Sequence, residues 1–407
     1  MLPRRRVDKE TVMNRIIKWL ATGAGIASAA YATYAARTWR RYGRPRAARG
    51  AARDELLDRL MPQYDVCERH HIAIDAPPDV TFAAAKQMRL DGSRMIRGLF
   101  KARELILRGR EDTTPRPKGL LDELTSIGWG IVGATSGHEL VLGAATKPWE
   151  PDPVFRTIPA AEFASFAEPD YVKIAVTLRV DPRDDGGSTF FTETRATATD
   201  AAARKKFRMY WALLSPGIIL IREAMVRGLA DAADRAWWLA GDDLLADARA
   251  QLTHAVTIDA PPKDVWPWLV QMGCQRAGWY SWDLLDNAGK RSADRIVPEL
   301  QHVAPGDIFP WSPGKPEGFD VARVDPEHAL VLHNAGPKWE GTWAFVLLPL
   351  PRDRTRLVTR YRAAYPASVD MAVRLPVMRA MHAVMETKQL RTIKHHAEHA
   401  ITGAASS

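Results

Sequence analysis

A short phrase that occurs twice constrains the fold of this chain more than any other feature. Ile74–Val80 reads IDAPPDV, and Ile258–Val265 reads IDAPPKDV, 184 positions later. The match extends upstream, where His70 falls opposite His254. Apolar residues alternate before each copy, which predicts a half-buried strand, and Asp-Ala-Pro-Pro predicts a turn in which the aspartate caps a helix. We therefore expect two copies of one domain, each beginning with a strand, a turn and a helix.

The length of the chain fits this interpretation, because 407 residues exceed what one core usually organises. Each copy continues with strand patterns and ends in a long helical pattern. In the first, Tyr171–Val180 alternates and forms a predicted hairpin with Ser188–Thr199. A helix follows from about residue 200 to 238, with an interruption predicted at Ser215-Pro216-Gly217. In the second, four strand patterns precede a helix from about residue 369 to 401.

Several motifs resemble the START-like superfamily, also called SRPBCC. They are the openings IDAPPDV and IDAPPKDV, Glu193–Gly217 in the first copy, and Gly278–Asp307 and Met385–Glu398 in the second. The resemblance covers about residues 68–240 and 252–402. It implies an α+β fold with two tandem helix-grip domains, each a curved antiparallel sheet around a long C-terminal helix. We place these domains at residues 67–245 and 246–407, after an anchor and basic segment at residues 1–66.

The net charge of +9 is a local feature of the N-terminus. Residues 1–53 hold thirteen of the 57 Lys/Arg and two of the 48 Asp/Glu, which leaves 44 basic and 46 acidic residues in the rest. A nucleic-acid-binding domain carries its basic face on the folded module, so no nucleic-acid partner is expected.

Trp19–Ala36 contains eighteen residues without a charge, about 27 Å of helix, with Arg and Lys on both sides. This predicts a single-pass membrane anchor. A cleaved signal peptide and a soluble or surface helix are the alternatives, since the segment is rich in alanine and glycine. Seven Lys/Arg follow it by residue 53 against six before it, which predicts cytoplasmic domains. A short helix is expected within Arg53–Met61.

The second copy is rich in aromatic residues, and we predict that they line an apolar pocket under the final helix. Core packing is the alternative for each of them. The candidate ligand-binding residues are Trp279, Tyr280, Trp282, Trp311, His333, Trp343, Phe345, Tyr361, Met378 and Met385.

Candidate catalytic groups are sparse. Asp283, Asp286, Arg291 and Arg295 could position a carbonyl or act as acid and base, although a structural loop network explains them too. The pattern GWGIVG at residues 128–133 lacks a strand before it and a helix after it, and HHAEH at residues 395–399 is explained by the basic C-terminus of a helix. With only two cysteines in the chain, no disulfide framework and no thiolate zinc cluster is expected. Because these motifs fail, no metal and no cofactor are expected.

The functional expectation follows from the implied fold. It is binding or transport of a lipid or other hydrophobic small molecule at a membrane, and the protein need not be an enzyme. The alternative is a cyclase/dehydratase-type enzyme that acts on a polyketide- or isoprenoid-like substrate. A third possibility is that only the second copy binds ligand, while the first is structural or contacts another protein.

Overall fold

The computed structural model describes residues 29–88, 101, 119–314, 317–337, 339–367 and 369–404. The chain divides into two compact units. The first comprises Met1–Ile72, Phe82–Asp181 and Phe190–Ala230, and the second comprises Ala73–Thr81, Pro182–Thr189 and Asp231–Ser407. The domain boundary expected after residue 245 stays a prediction.

The first copy of the repeat forms a six-stranded sheet and a long helix. Its elements are α1 (Glu55–Leu60), β1 (Val66–Ile74), α2 (Pro78–Gln87), α3 (Leu120–Ser126), β2 (Gly130–Thr135), β3 (Glu139–Thr146), β4 (Phe155–Arg156), α4 (Ala160–Phe163), β5 (Val172–Pro182), β6 (Ser188–Ala198) and α5 (Ala201–Ala236). The strand order is β1-β6-β5-β3-β2, and β4 pairs with β3.

Both faces of this first sheet are covered. On one face, Leu57 of α1 packs against Val141 and Ala175. On the other, Phe207 and Trp211 of α5 pack against Val66, Val172 and Ala196. The two cores place the strands between α1 and the long helix α5.

The second copy repeats this arrangement. Its elements are β7 (Ala250–Ile258), α6 (Pro262–Val270), α7 (Asp283–Asp286), β8 (Ile308–Pro310), β9 (Gly318–Asp325), β10 (Ala329–Gly336), β11 (Trp339–Leu350), β12 (Arg354–Ala364) and α8 (Val369–Ala404). The strand order is β7-β12-β11-β10-β9-β8, and the neighbouring strands are antiparallel. In both sheets the first strand of the copy pairs with its last strand, so the predicted α+β fold of two similar domains is confirmed.

Two local expectations were wrong. The helix α5 runs unbroken through Ser215-Pro216-Gly217, with Pro216 inside it. A proline removes one hydrogen bond from a helix interior, but the packing of a long helix along a sheet can outweigh that cost. Asp259 does not cap α6, because Pro261 is the capping residue there and makes no side-chain bond to the helix.

The anchor predicted at Trp19–Ala36 lies mostly outside the described residues, which begin within it at residue 29. Residues 29–41 are helical, and the Tyr34 hydroxyl lies 3.0 Å from that of Ser215 on α5. Within the part of the chain that the structure describes, one helix is long and apolar enough to cross a membrane by length and composition, and it is α5. The short helix expected within Arg53–Met61 is present as α1.

Candidate functional site

The interior of the second copy changes character along α8. At the C-terminal end of α8, Leu390, Ile393 and Ala397 pack into a core that includes Ile258 and Leu357. One to two turns earlier, α8 instead presents His382 and Glu386 to the sheet. A buried polar patch beside a well-packed apolar core is costly, which makes it the natural candidate for a functional site.

The strand patterns explain which residues face this patch. On β12, Leu357, Thr359 and Tyr361 alternate along one face, and Leu357 belongs to the core beneath α8. The register places Trp343 of β11 beside Tyr361, and His254 of β7 beside Thr359. Cross-strand neighbours share a face of the sheet, so these side chains surround one region.

We call His254, Trp343, Tyr361, His382 and Glu386 the acid–base cluster. His382 Nε2 lies 3.1 Å from Glu386 Oε2, and Trp343 Nε1 donates to Glu386 Oε1 at 3.3 Å. The His382 ring centroid is 5.0 Å from that of Tyr361 and 6.2 Å from that of His254. An imidazole and a carboxyl group are thus held together against an aromatic wall.

Burial sets the protonation of this pair. Removal from water raises the pKa of Glu386 to about 7, since a buried carboxylate loses its hydration. Burial, together with the nearby His254, lowers the pKa of His382 to about 4. Near neutral pH, His382 is therefore uncharged, and Glu386 exists in both its acid and its carboxylate forms. These are the forms that a general base and a general acid need.

Two atoms of the cluster have no hydrogen-bond partner within the described ranges, although they are buried. They are Nδ1 of His382 and Nε2 of His254. Buried polar groups in folded proteins are normally satisfied, so orphaned atoms that converge on one place need an explanation. A polar ligand that enters the cluster would satisfy them.

Access to the cluster comes from the side that α8 leaves less tightly packed. Glu386 is 1% exposed, whereas the His382 side chain retains 22% exposure. Trp343, Tyr361 and His254 are half-buried, in contrast to the fully buried core at the other end. The carboxyl group of Glu386 is thus buried, while the side chains around it are partly accessible to solvent.

Tyr361 contributes an oriented hydroxyl group. Its oxygen accepts a hydrogen bond of 2.9 Å from Trp339 Nε1, and burial raises the pKa of Tyr361. Because the oxygen serves as the acceptor for Trp339, the tyrosine proton is available to donate to a carbonyl oxygen.

The structure separates the predicted ligand-binding residues into four groups. Trp343 and Tyr361 belong to the acid–base cluster. Met385 is half-buried on α8, the helix that carries His382 and Glu386. Trp279, Tyr280 and Phe345 are buried in the core. Trp282, Trp311 and Met378 are largely exposed, at 49%, 39% and 42%. His333 lies on the opposite face of the sheet, because it pairs with Thr342, the neighbour of Trp343, and its ring contacts Glu340 at 3.0 Å.

The sequence analysis missed His382, Glu386 and His254 as site residues. His382 and Glu386 are four positions apart on a predicted helix, so the spacing already placed them on one face. His254 was visible as the counterpart of His70 in the repeat. The spacing and the repeat therefore pointed to these three residues, but the aromatic residues were the more conspicuous candidates.

The loop carboxylates form a separate network. Asp283 accepts hydrogen bonds from the backbone N–H and the hydroxyl of Ser292. Burial and the adjacent Asp283 raise the pKa of Asp286 to about 6. These contacts fit the structural explanation of this loop better than a catalytic one.

Comparison with known proteins gives matches among solved structures. No protein-family model and no curated protein matches the chain. Among solved structures, the di-domain aromatase/cyclase BexL from the BE-7585A biosynthetic pathway is 15% identical, with 82% of this chain and 99% of that one covered and a TM-score of 0.22. The di-domain aromatase/cyclase StfQ from the steffimycin pathway is 11% identical over 82% and 99% of the chains, with a TM-score of 0.24.

A single-domain protein, the Zhui aromatase/cyclase from Streptomyces sp. R1128, is 18% identical over 37% of this chain and 95% of its own, with a TM-score of 0.24. TM-scores of this size carry no information on what this chain binds or converts. The function must be argued from its own residues.

Proposed function

We propose that the second copy is an acid–base enzyme of the cyclase/dehydratase type and that it acts on a ketone-bearing, polyketide-like molecule. The observation that supports this most is the buried pair of His382 and Glu386, with an orphaned ring nitrogen on His382 beside the rings of Trp343 and Tyr361. A protein that only carries an apolar ligand gains nothing from burying an imidazole and a carboxyl group. An enzyme that moves protons requires such groups.

The geometry is consistent with the following steps. With the Nε2–H of His382 directed at Glu386, its Nδ1 keeps a lone pair and removes a proton from a methylene group between two carbonyls. The enolate carbon attacks a second ketone of the same molecule, which forms a carbon–carbon bond. Tyr361 donates a hydrogen bond to the oxygen on which negative charge develops. The alkoxide then takes back the proton that Nδ1 of His382 removed, which gives a β-hydroxy ketone and returns His382 to its neutral form.

Dehydration uses the same groups. Nδ1 of neutral His382 removes the remaining α-proton while the protonated form of Glu386 gives its proton to the departing hydroxyl, so that water and a conjugated enone are the products. His382 then returns a proton to Glu386 across their 3.1 Å contact. Each proton that one group gains is supplied or removed by another, and no oxidant is needed. The aromatic wall, in which Trp279 stacks on Trp343 with ring centroids 5.4 Å apart, would bind the flat product.

A direct test uses a naphthyl-substituted β-hydroxy ketone, whose dehydration produces a conjugated enone with a new absorption band. His382→Gln and Glu386→Gln should each lower kcat by about 100-fold or more, the usual contribution of a positioned acid or base. His395→Gln, an exposed histidine on the same helix, is the matched control. Equal rates for all four proteins would exclude the pair from catalysis.

The pH dependence gives a second readout. Because Glu386 must carry its proton to act as the acid, and its pKa lies at about 7, kcat should fall as the pH rises above 7. Activity that keeps rising to pH 9 would assign the acid to another group.

Non-catalytic binding of a lipid or another hydrophobic molecule is the second candidate. It is favoured by an aromatic row that leads inward from the exposed Trp311 through Phe319 to Trp343, each ring 5.6 Å from the next. Native mass spectrometry of protein from several hosts would reveal a retained lipid. A lipid that both the wild type and His382→Gln retain would support this role if neither protein dehydrates the ketone.

The membrane tether is a separate proposal. A helix over residues 19–36 would hold the two copies at a bilayer, on its cytoplasmic side, and the surrounding arginines would add about 1 kcal/mol each near anionic lipid. Fractionation of the full-length chain against one that starts at residue 50 tests it. Equal amounts of both in the membrane fraction would exclude the anchor.

A further inference from the structure

The face of the first sheet on which α5 packs, here called the inner face, carries a charged cluster. The proposed enzyme does not use this cluster. Arg222 on α5 donates hydrogen bonds to the hydroxyl groups of Thr192 and Thr194 on β6, the bond to Thr192 being 2.7 Å long. On β1, Glu68 and His70 lie close to Arg222, since its positive charge acts to lower the pKa of both. A guanidinium group is always ionised, so this interior holds a permanent positive charge.

The cluster occupies the position that the acid–base cluster has in the other copy. His70 is the counterpart of His254, and β6, like β12, is the strand before the long helix. The chemistry differs, however. The second copy has a carboxyl group and an imidazole on its long helix, whereas the first has a guanidinium group.

Two observations indicate that a ligand can reach Arg222. On β5, Ile174 and Val176 of the inner face are half-buried, whereas Val172 and Leu178 on either side of them are 0% and 2% exposed. The inner face is thus less tightly covered at the middle of β5 than on either side. In addition, Nε of Arg222 and Nε2 of His70 are buried without a hydrogen-bond partner within the described residues.

The surroundings of Arg222 specify a ligand with two parts. Nearer the start of α5 the inner face is apolar, with Phe207, Trp211 and Ile218 packed against β1 and β5. Arg222 lies one helical turn beyond Ile218. A guanidinium group with donors left over, next to an apolar surface, is suited to a carboxylate at the end of an apolar body.

We propose that the interior of the first copy binds an apolar molecule that carries one carboxylate, and that Arg222 holds this carboxylate. Thr192 and Thr194 orient the guanidinium group, and His70 donates to the same carboxylate. Glu68 is the group that competes with the ligand for Arg222. Its pKa is raised by burial, so its negative charge is less stable there than in water.

The test compares two probes on the full-length protein: a long-chain fatty acid that carries a photoreactive diazirine, and the methyl ester of the same acid. After irradiation, mass spectrometry quantifies label on peptides from β1, β6 and α5. The acid should label these peptides about tenfold more than the ester does, the discrimination expected of a charge-assisted hydrogen bond. Peptides from the second copy are the internal reference.

Substitutions then assign the preference. Arg222→Met should reduce labelling by the acid to the level of the ester, while labelling by the ester persists and shows that the fold is intact. Glu68→Gln removes the competing charge and should raise labelling by the acid severalfold. Asp231→Asn, which neutralises an exposed carboxylate further along α5, is the matched control and should leave it unchanged.

The proposal is overturned if acid and ester label the wild type equally, or if the preference for the acid survives in Arg222→Met. Should Arg222→Met lose labelling by the ester as well, Glu68→Gln decides, because a merely structural carboxylate would not increase binding of an acid when it is neutralised. None of these outcomes depends on the activity of the second copy.

Discussion

Glu386→Gln should make the protein more stable at alkaline pH and less active. The side chain is 1% exposed, and its Oε1 accepts from Trp343 Nε1. Glutamine preserves the shape and an acceptor oxygen but carries no charge. The substitution therefore removes the cost of a buried carboxylate and leaves most of the packing in place.

The magnitude follows from the pKa of Glu386, which burial raises from 4.5 to about 7. The unfolded chain releases this proton near pH 4.5, whereas the folded protein keeps it until about pH 7. Between these values the folded state binds more protons, so stability falls as the pH rises and remains low above pH 7. A difference of about 2.5 in pKa corresponds to about 3 kcal/mol.

Urea denaturation of the wild type and the variant at pH 5 and pH 8 measures this effect. The variant should gain about 3 kcal/mol on the wild type between the two pH values. Glu340→Gln is the control, since that carboxylate is 45% exposed, and it should follow the wild type. If the free energies of unfolding of the wild type and Glu386→Gln changed equally from pH 5 to pH 8, the argument would be refuted. The carboxylate of Glu386 would then be no less stable in the folded protein than in the unfolded chain.

Two further substitutions test the fold by comparison with matched controls. Arg360→Leu should destabilise the second unit by about 3 kcal/mol in urea denaturation, because Arg360 is 1% exposed and ion-paired to two aspartates. The control Arg323→Ala removes an exposed ion pair and should cost about 1 kcal/mol or less. Similar losses of stability in the two variants would contradict this prediction. Gly143→Ala should lower the free energy of unfolding by about 1–3 kcal/mol, since an added Cβ would lie 2.4 Å from the Phe163 ring. The control Gly228→Ala in α5 meets nothing within 4 Å and should stabilise the protein by up to about 1 kcal/mol. If Gly143→Ala left the stability unchanged, the ring of Phe163 would have moved aside.

The repeat made the fold accessible from the sequence. Alternation along Tyr171–Val180 and the turn before Ser188 predicted the hairpin of β5 and β6, because a strand with one buried face must alternate. Pro216 misled the prediction of α5, since a local rule about proline does not include the packing of neighbouring turns. The long-range pairing of β7 with β12 was not predicted, because no local pattern in either strand names its partner.

The site was harder to predict, for a physical reason. Trp279 and Phe345 look like pocket residues in the sequence but fill the core, because apolar side chains serve both purposes equally well. His382 and Glu386 look like surface residues of a polar helix. Only the fold shows that the face they share is turned to the sheet, where their burial changes their protonation.

The pairing of first and last strands has a consequence during synthesis. Thr257 on β7 pairs with Arg356 on β12, which leaves the ribosome about a hundred residues later. Until then β7 has no partner of its own copy, and its free edge resembles the corresponding edge of β1, since both strands precede the same Asp-Ala-Pro-Pro turn. A nascent chain of this design is therefore exposed to exchange of strands between its two halves, and the differences between the two interiors give each last strand a means to recognise its own first strand.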